Sequence, residues 1–167
     1  VKTAFLNGII DEDIYMAIPE STSHANNERK NPVCKLNRAL YGLRISPKQW
    51  NVRFCAAALK MGLANSDLEP CLFVWRDKEK FLVLILYVND ILMASNDSRK
   101  LNKVEMTLSE EFDMKIIGEP KEFLSLSIKR DKERQIIELT QEKYMNKILK
   151  RFGFDESHAQ KTPMTTA

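Results

Sequence analysis

The stretch Phe81-Leu82-Val83-Leu84-Ile85-Leu86-Tyr87-Val88-Asn89-Asp90-Ile91-Leu92-Met93-Ala94 decides how this chain is read. An apolar run, Phe81 to Val88, stops at the polar pair Asn89-Asp90, and a second apolar run, Ile91 to Ala94, follows at once. Two short apolar runs around a two-residue polar tip predict a β-hairpin. The tip holds a carboxylate beside an amide, at the end of strands too apolar for the surface. Leaving a carboxylate there is costly unless a metal ion or a charged partner meets it, which makes the tip a candidate active site. Asn-Asp is also a common turn pair, so a plain turn is the competing reading of these residues taken alone.

On the N-terminal side of the hairpin, Leu72 to Trp75 is a further strand, joined to it through the charged turn Asp77-Lys78-Glu79-Lys80. Before that, Trp50, Phe54, Ala57, Ala58 and Met61 recur at helical spacing and give one apolar face, so Ser46 to Met61 is a helix that Gly62 stops. Ser46-Pro47 fits an N-cap followed by Pro at the first helical position. Further upstream, Val33 to Leu36 and the alternating Ile14 to Ile18 are short strands separated by a polar loop over Ser21 to Pro32, and Val1 to Leu6 is β-prone until Asn7-Gly8 breaks it. On the C-terminal side, Ser98 is expected to cap a second helix with the face Leu101, Val104, Leu108 and Phe112. Met114 to Ile117 is short and β-prone. Phe123 to Ile128 and Gln135 to Leu139 are strands around the charged turn Lys129 to Arg134. Thr140 is expected to cap a third helix, with the face Tyr144, Ile148, Leu149 and Phe152, ended by Gly153. This order predicts an α+β fold, an antiparallel sheet with helices on one face, leaving the hairpin tip and the other face for a ligand.

The bulk composition narrows the function classes. A chain of 167 residues, 44% hydrophobic and 29% charged, has room for one core or for one domain plus an appendage. Cys34, Cys55 and Cys71 form no C-x-x-C pair, and His24 and His158 stand alone, which argues against a zinc site or a disulfide framework and fits an intracellular setting. The longest apolar run is too short to span a bilayer, so no membrane partner is expected. Val1 is not a natural start residue, and the chain reads as an internal piece of a longer polypeptide. The net charge of +3 decides little, but Lys129 to Arg151 carries eight Lys/Arg against four Asp/Glu. Such a stretch serves equally as a solvated helix face or as a phosphate-contacting one.

Ordered blocks of sequence then carry a resemblance. Val1-Lys2-Thr3-Ala4-Phe5-Leu6-Asn7-Gly8 with Ile14-Tyr15-Met16 and Pro19-Glu20 form the first, and Leu40-Tyr41-Gly42-Leu43-Arg44 with Ser46-Pro47 and Trp50 the second. Leu86 to Ala94 forms the third, and Phe112, Met114-Lys115, Gly118-Glu119, Phe123-Leu124, Leu139 to Phe152 and Thr162-Pro163-Met164 continue it. Together these resemble the reverse transcriptase of copia-type LTR retrotransposons, part of a Pol polyprotein. The resemblance implies a right-hand polymerase fold, with a partial palm over residues 1–130, most of the fingers absent, the start of a thumb over 131–154 and a loose tail over 155–167.

It also implies roles. Asp90 is expected to be a catalytic carboxylate and a ligand of Mg²⁺. Two such ions about 3.5–4 Å apart promote nucleotidyl transfer from a dNTP onto a primer annealed to an RNA or DNA template. Phe5, Tyr41 and Arg44 fall in the nucleotide pocket, with Phe5 as the aromatic gate under the sugar. Ser46 and Pro47, and Phe123 and Leu124 in the primer-gripping hairpin, fall on template and primer. The competing readings are a core Phe at position 5, a helix start with an exposed cation at 44–47, and ordinary sheet core at 123–124. An intact element would add integrase and RNase H and assemble in cytoplasmic virus-like particles.

Departures from the family pattern cluster at functional positions. Asn89 stands where the family has Asp, and the family's first catalytic carboxylate would immediately precede Val1. Ile45 replaces the usual Gln, Ile116 the usual Asp, and Ser125 and Ser127 a Gly and an acidic residue. One of three metal carboxylates, Asp90, is left, so the expectation is an impaired polymerase, or a noncatalytic nucleic-acid-binding remnant, or a relic without function.

Overall fold

A computed structural model describes residues 1–19 and 32–158. The predicted loop over Ser21 to Pro32 and the block Thr162-Pro163-Met164 lie outside the described residues, save for Pro32 itself. The chain divides into two units, Val1–Ile116 and Ile117–Ala167.

The first unit begins with a 3-10 turn, Ala4–Asn7, where the sequence suggested a strand. Burial explains the difference: Ala4 is fully buried, and the segment packs on the first long helix rather than along a sheet. Gly8 makes this approach possible, since a Cβ there would stand 3.0 Å from Gln49 Cβ and 3.1 Å from Trp50 N. Strands β1 (Tyr15–Ala17) and β2 (Val33–Lys35) pair antiparallel as a separate two-stranded ribbon. Helix α1 (Ser46–Lys60) buries Trp50, Phe54, Ala57 and Ala58, the spacing that the sequence displays. Pro47 lies in its first turn, but Ser46 is no N-cap: Ile45 holds that position, and the buried Ser46 Oγ donates instead to the Leu40 carbonyl.

Strands β3 (Ala64–Asn65), β4 (Leu72–Asp77), β5 (Lys80–Tyr87) and β6 (Asp90–Ser95) form an antiparallel sheet in that order. Along β5, Leu82, Leu84 and Leu86 are buried while Phe81, Ile85 and Tyr87 are exposed, so the apolar run covers one face against the helices and leaves the other uncovered. Helix α2 (Ser98–Glu111) contributes Val104 and Leu108, with Phe112 just beyond it. Its N-cap is Asp97 rather than Ser98: the carboxylate accepts from Arg99 N at 3.0 Å and Lys100 N at 3.2 Å. Between helices and sheet, Trp50, Phe54, Phe73 and Phe112 pack with ring centroids 5.2 to 5.8 Å apart. Such aromatic pairs contribute about 0.5–1.5 kcal/mol each beyond the area that they bury. Arg53 closes the rim, its guanidinium 2.7 Å from Glu111 and 4.9 Å from the centre of the Phe112 ring. The β-prone Met114 to Ile117 forms no strand.

In the second unit, β7 (Glu122–Phe123), β8 (Leu126–Asp131) and β9 (Ile136–Thr140) form an antiparallel sheet that helix α3 (Glu142–Arg151) touches through β8. The single strand predicted over Phe123 to Ile128 is instead two, because Leu124 and Ser125 adopt positive φ (49° and 69°) and turn the chain. The charged turn sits later than predicted. Strand β8 runs to Asp131, whose Oδ1 accepts from Glu133 N and Arg134 N and so makes the turn itself. Thr140 ends β9, and Gln141, without a side-chain bond, precedes the helix. The apolar stripe of α3 is present, but the helix has no buried residue: Tyr144, Met145, Leu149 and Phe152 are exposed. Among the described residues, no helix is long and apolar enough to cross a membrane.

Candidate active site

Strands β5 and β6 meet in a hairpin whose tip differs from the predicted one by one residue. Tyr87 pairs with Asp90, so the turn residues are Val88 and Asn89, and Asp90 is the first residue of β6. Contacts from outside the turn set this register. At the open end, Phe81 N donates to Asn96 Oδ1 at 2.8 Å and Ser95 Oγ to the Phe81 carbonyl at 2.6 Å, and a slip would break both. At the tip, the buried indole of Trp50 donates from Nε1 to the Val88 carbonyl at 2.9 Å. Val88 has φ of +50°, while Asn89 is not in the positive range. That combination belongs to turns which favour Gly at the first position. A β-branched residue there is strained by about 1–3 kcal/mol.

Asn89 is fastened rather than free. Its Oδ1 accepts from the Tyr41 hydroxyl at 2.9 Å and from the Ala4 backbone N–H at 3.2 Å. Both partners are donors, so they recognise an acceptor oxygen, and a carboxylate would satisfy them as well as an amide does. The Tyr41 ring leans on Phe5, centroids 4.6 Å apart and tilted by 42°. The Asn89 carbonyl accepts from the Val1 amino group.

Of the residues singled out by sequence, Phe5, Tyr41 and Asn89 are thus drawn together beside Asp90. Phe5 is half-buried, Tyr41 half-exposed and Asp90 exposed. Ser46 is tied to this group indirectly, through the Leu40 carbonyl one residue before Tyr41. Arg44 and Pro47 are exposed at the start of α1, and Arg44 has no acidic partner among the described residues. Phe123 and Leu124 belong to the second unit, the first half-buried in β7 and the second in its turn. Sequence reasoning missed Trp50 and Ala4 as parts of the tip. A buried indole must find an acceptor, which was a usable signal for Trp50. A backbone N–H at Ala4 gives none.

A divalent ion such as Mg²⁺ takes hard oxygen ligands, mostly carboxylates. The residues present do not fit it. Asp90 is the one carboxylate in the tip, and Asn89 Oδ1 is uncharged and already accepts two hydrogen bonds. Among the described residues, no three His, Cys, Asp or Glu side chains gather in a metal-holding group.

Comparison with known proteins matches the sequence to a family. The model described as "Reverse transcriptase (RNA-dependent DNA polymerase)" matches residues 1–166. The chain is 37% identical over 98% of its length to the retrovirus-related Pol polyprotein from transposon TNT 1-94 of Nicotiana tabacum, spanning 12% of that protein. It is 34% identical, again over 98% of its length, to the retrovirus-related Pol polyprotein from transposon RE1 of Arabidopsis thaliana, of which it spans 11%. A transposon Ty1-DR5 Gag-Pol polyprotein of Saccharomyces cerevisiae is 27% identical over 71% of the chain, which spans 6% of it. No solved structure matches the chain.

Proposed function

The chain belongs to the reverse transcriptase (RNA-dependent DNA polymerase) family, and from that premise we propose that it is a segment of a transposon-encoded RNA-directed DNA polymerase that keeps its nucleic-acid-facing surfaces while its nucleotidyl transfer is impaired. One observation carries this reading: Asn89 occupies a cradle built by two donors for an acceptor oxygen, and Asp90 beside it is the tip's one carboxylate. Transfer of a nucleotidyl group relies on neutralising charge that develops at the reacting phosphate. Removing one well-placed stabiliser costs about a hundredfold to a thousandfold in rate in other enzymes. With an uncharged Asn89, this tip does not gather the carboxylates that hold the divalent ions.

The surrounding residues retain roles in binding. Residues 1–130 act as a partial palm and 131–154 as the start of a thumb. Phe5 and the leaning ring of Tyr41 form an aromatic floor for a nucleotide sugar, and exposed Arg44 faces its phosphates. Ser46 and Pro47 set the template-side helix start, and the turn at Phe123 and Leu124 touches the primer. On α3, Lys147, Lys150 and Arg151 have no acidic partner among the described residues. Such cations contact phosphates without reading sequence. The natural context is the rest of a Pol polyprotein, with integrase and RNase H, in a cytoplasmic particle.

The test is primer extension on an RNA template with Mg²⁺ or Mn²⁺, alongside an Asp90→Asn control and a duplex-binding titration at several salt concentrations. The expected result is salt-dependent binding with incorporation no greater than in the control. Template-dependent incorporation well above the control overturns the impairment. Absence of duplex binding at low salt overturns the retained surfaces and leaves a relic without function.

A further inference from the structure

We propose that Trp50 is a positioning residue for the hairpin tip: its indole N–H holds the strained Val88 peptide and thereby fixes where Asp90 stands. The proposal rests on reading the tip as the chemical site, but its test follows tip geometry and not nucleotidyl transfer.

Trp50 is 2% exposed, anchored on α1 between Phe54 and Phe112, so its ring has one orientation available. From that fixed ring the Nε1–H reaches the Val88 carbonyl at 2.9 Å. Val88 sits at φ +50°, a conformation that a β-branched residue leaves unless its surroundings over-determine it. The Val88 side chain packs against the core, but the other hydrogen bonds that reach the turn from outside the hairpin act on Asn89: Oδ1 takes the Tyr41 and Ala4 donors, and the Asn89 carbonyl takes the Val1 nitrogen. The indole is therefore the one hydrogen bond from outside the hairpin, among the described residues, that falls on the strained peptide itself. Asp90 follows two residues later and begins β6 opposite Tyr87. Release of Val88 rotates the peptide leading into Asn89 and re-aims both the Asn89 side chain and the Asp90 carboxylate. Trp50 touches no substrate in this role; it acts through Val88.

The test uses nuclear magnetic resonance on the full chain. In the unmodified protein the two indole N–H signals, Trp50 and Trp75, are compared for solvent exchange, and that of Trp50 is expected to be much the slower. Trp50→Phe keeps an aromatic ring in the core but removes the donor. It is expected to lose the positive-φ coupling signature at Val88, to shift the Asn89 and Asp90 amides, and to weaken folding about five- to thirtyfold in the equilibrium constant. Adding Val88→Gly to Trp50→Phe is expected to bring the Asn89 and Asp90 signals back, because Gly holds positive φ without a clamp. A merely structural role in the core predicts no such rescue. An unchanged Val88 signature in Trp50→Phe, or failure of Val88→Gly to restore the tip, overturns the proposal. Should Trp50→Phe not fold, fast exchange of the Trp50 indole in the unmodified protein overturns it alone. These readouts do not depend on primer extension, so failure of the functional reading is told apart from failure of the clamp.

Discussion

Replacing Asn89 by Ala and by Asp separates what the tip needs for folding from what it needs for chemistry. Ala removes the acceptor of two hydrogen bonds. Tyr41 is 51% exposed, so its hydroxyl turns to water and the loss there is small, about 0.5 kcal/mol. Ala4 is fully buried, and its N–H at 3.2 Å from Asn89 Oδ1 is left without a partner, which costs about 1–3 kcal/mol. The expected destabilisation by Asn89→Ala is therefore about 1.5–3.5 kcal/mol, or roughly 3–10 °C in Tm for a chain of this size. Asn89→Asp keeps an acceptor in the same place. Charge-assisted bonds from both donors offset repulsion from Asp90, and the expected change is within about 0.5 kcal/mol. The assay is urea denaturation followed by tryptophan fluorescence. Both tryptophans lie in the first unit, so the signal reports that unit alone. An Asn89→Ala variant as stable as the parent, or an Asn89→Asp variant as damaged as Asn89→Ala, refutes the acceptor cradle.

Three further outcomes follow from the packing and the charges. Phe54→Ala, at the centre of the aromatic cluster, should lower stability by about 3–5 kcal/mol in the same denaturation assay. Gly8→Ala should cost about 1–3 kcal/mol, because its Cβ meets α1 at Gln49 and Trp50; a neutral result would mean that the two segments separate easily. Stability should also fall in acid. The Lys80 ammonium, then the Lys100 and Arg99 backbone N–H groups, hold the Asp97 carboxyl below its ordinary range, and Arg53 does the same for Glu111. A depressed carboxylate contributes its full share above the unfolded pKa, about 4, and loses it as pH falls through the lower folded value. Thermal melts between about pH 6 and pH 3 should show this loss, and Asp97→Asn should flatten it; an unchanged slope would remove Asp97 from the account.

Much of this fold is legible in the residues because burial and periodicity agree. Trp50, Phe54, Ala57 and Ala58 mark the inner face of α1 at helical spacing, and Leu82, Leu84 and Leu86 mark that of β5 at strand spacing. Legibility fails where partners distant in sequence decide. Val1 to Leu6 has strand propensity, yet Ala4 is buried on α1 and the segment turns. Asn89-Asp90 is chemically the better turn pair, yet bonds at Val88, Asn89 and Phe81 shift the turn back by one residue. Leu124 is a poor turn former by composition and turns nonetheless, at positive φ beside Ser125. At the site, Phe5, Tyr41, Asn89 and Asp90 could be nominated from their order along the chain, while the bond from Tyr41 to Asn89 was visible only in three dimensions.

The span of the tip's bonds has a kinetic consequence. Strands β4, β5 and β6 are sequential neighbours joined by short turns, so their pairing closes small loops and is entropically cheap. The donors at Trp50, Tyr41 and Ala4 lie 38, 48 and 85 residues from the groups that they bind. The sheet should therefore be complete while the tip is still unclamped, and the tip should be the last part of the unit to set. In pulse-labelled hydrogen exchange during refolding, β5 and β6 amides should become protected before the Ala4 N–H. Earlier protection at Ala4 would place the long-range contacts in the folding nucleus instead.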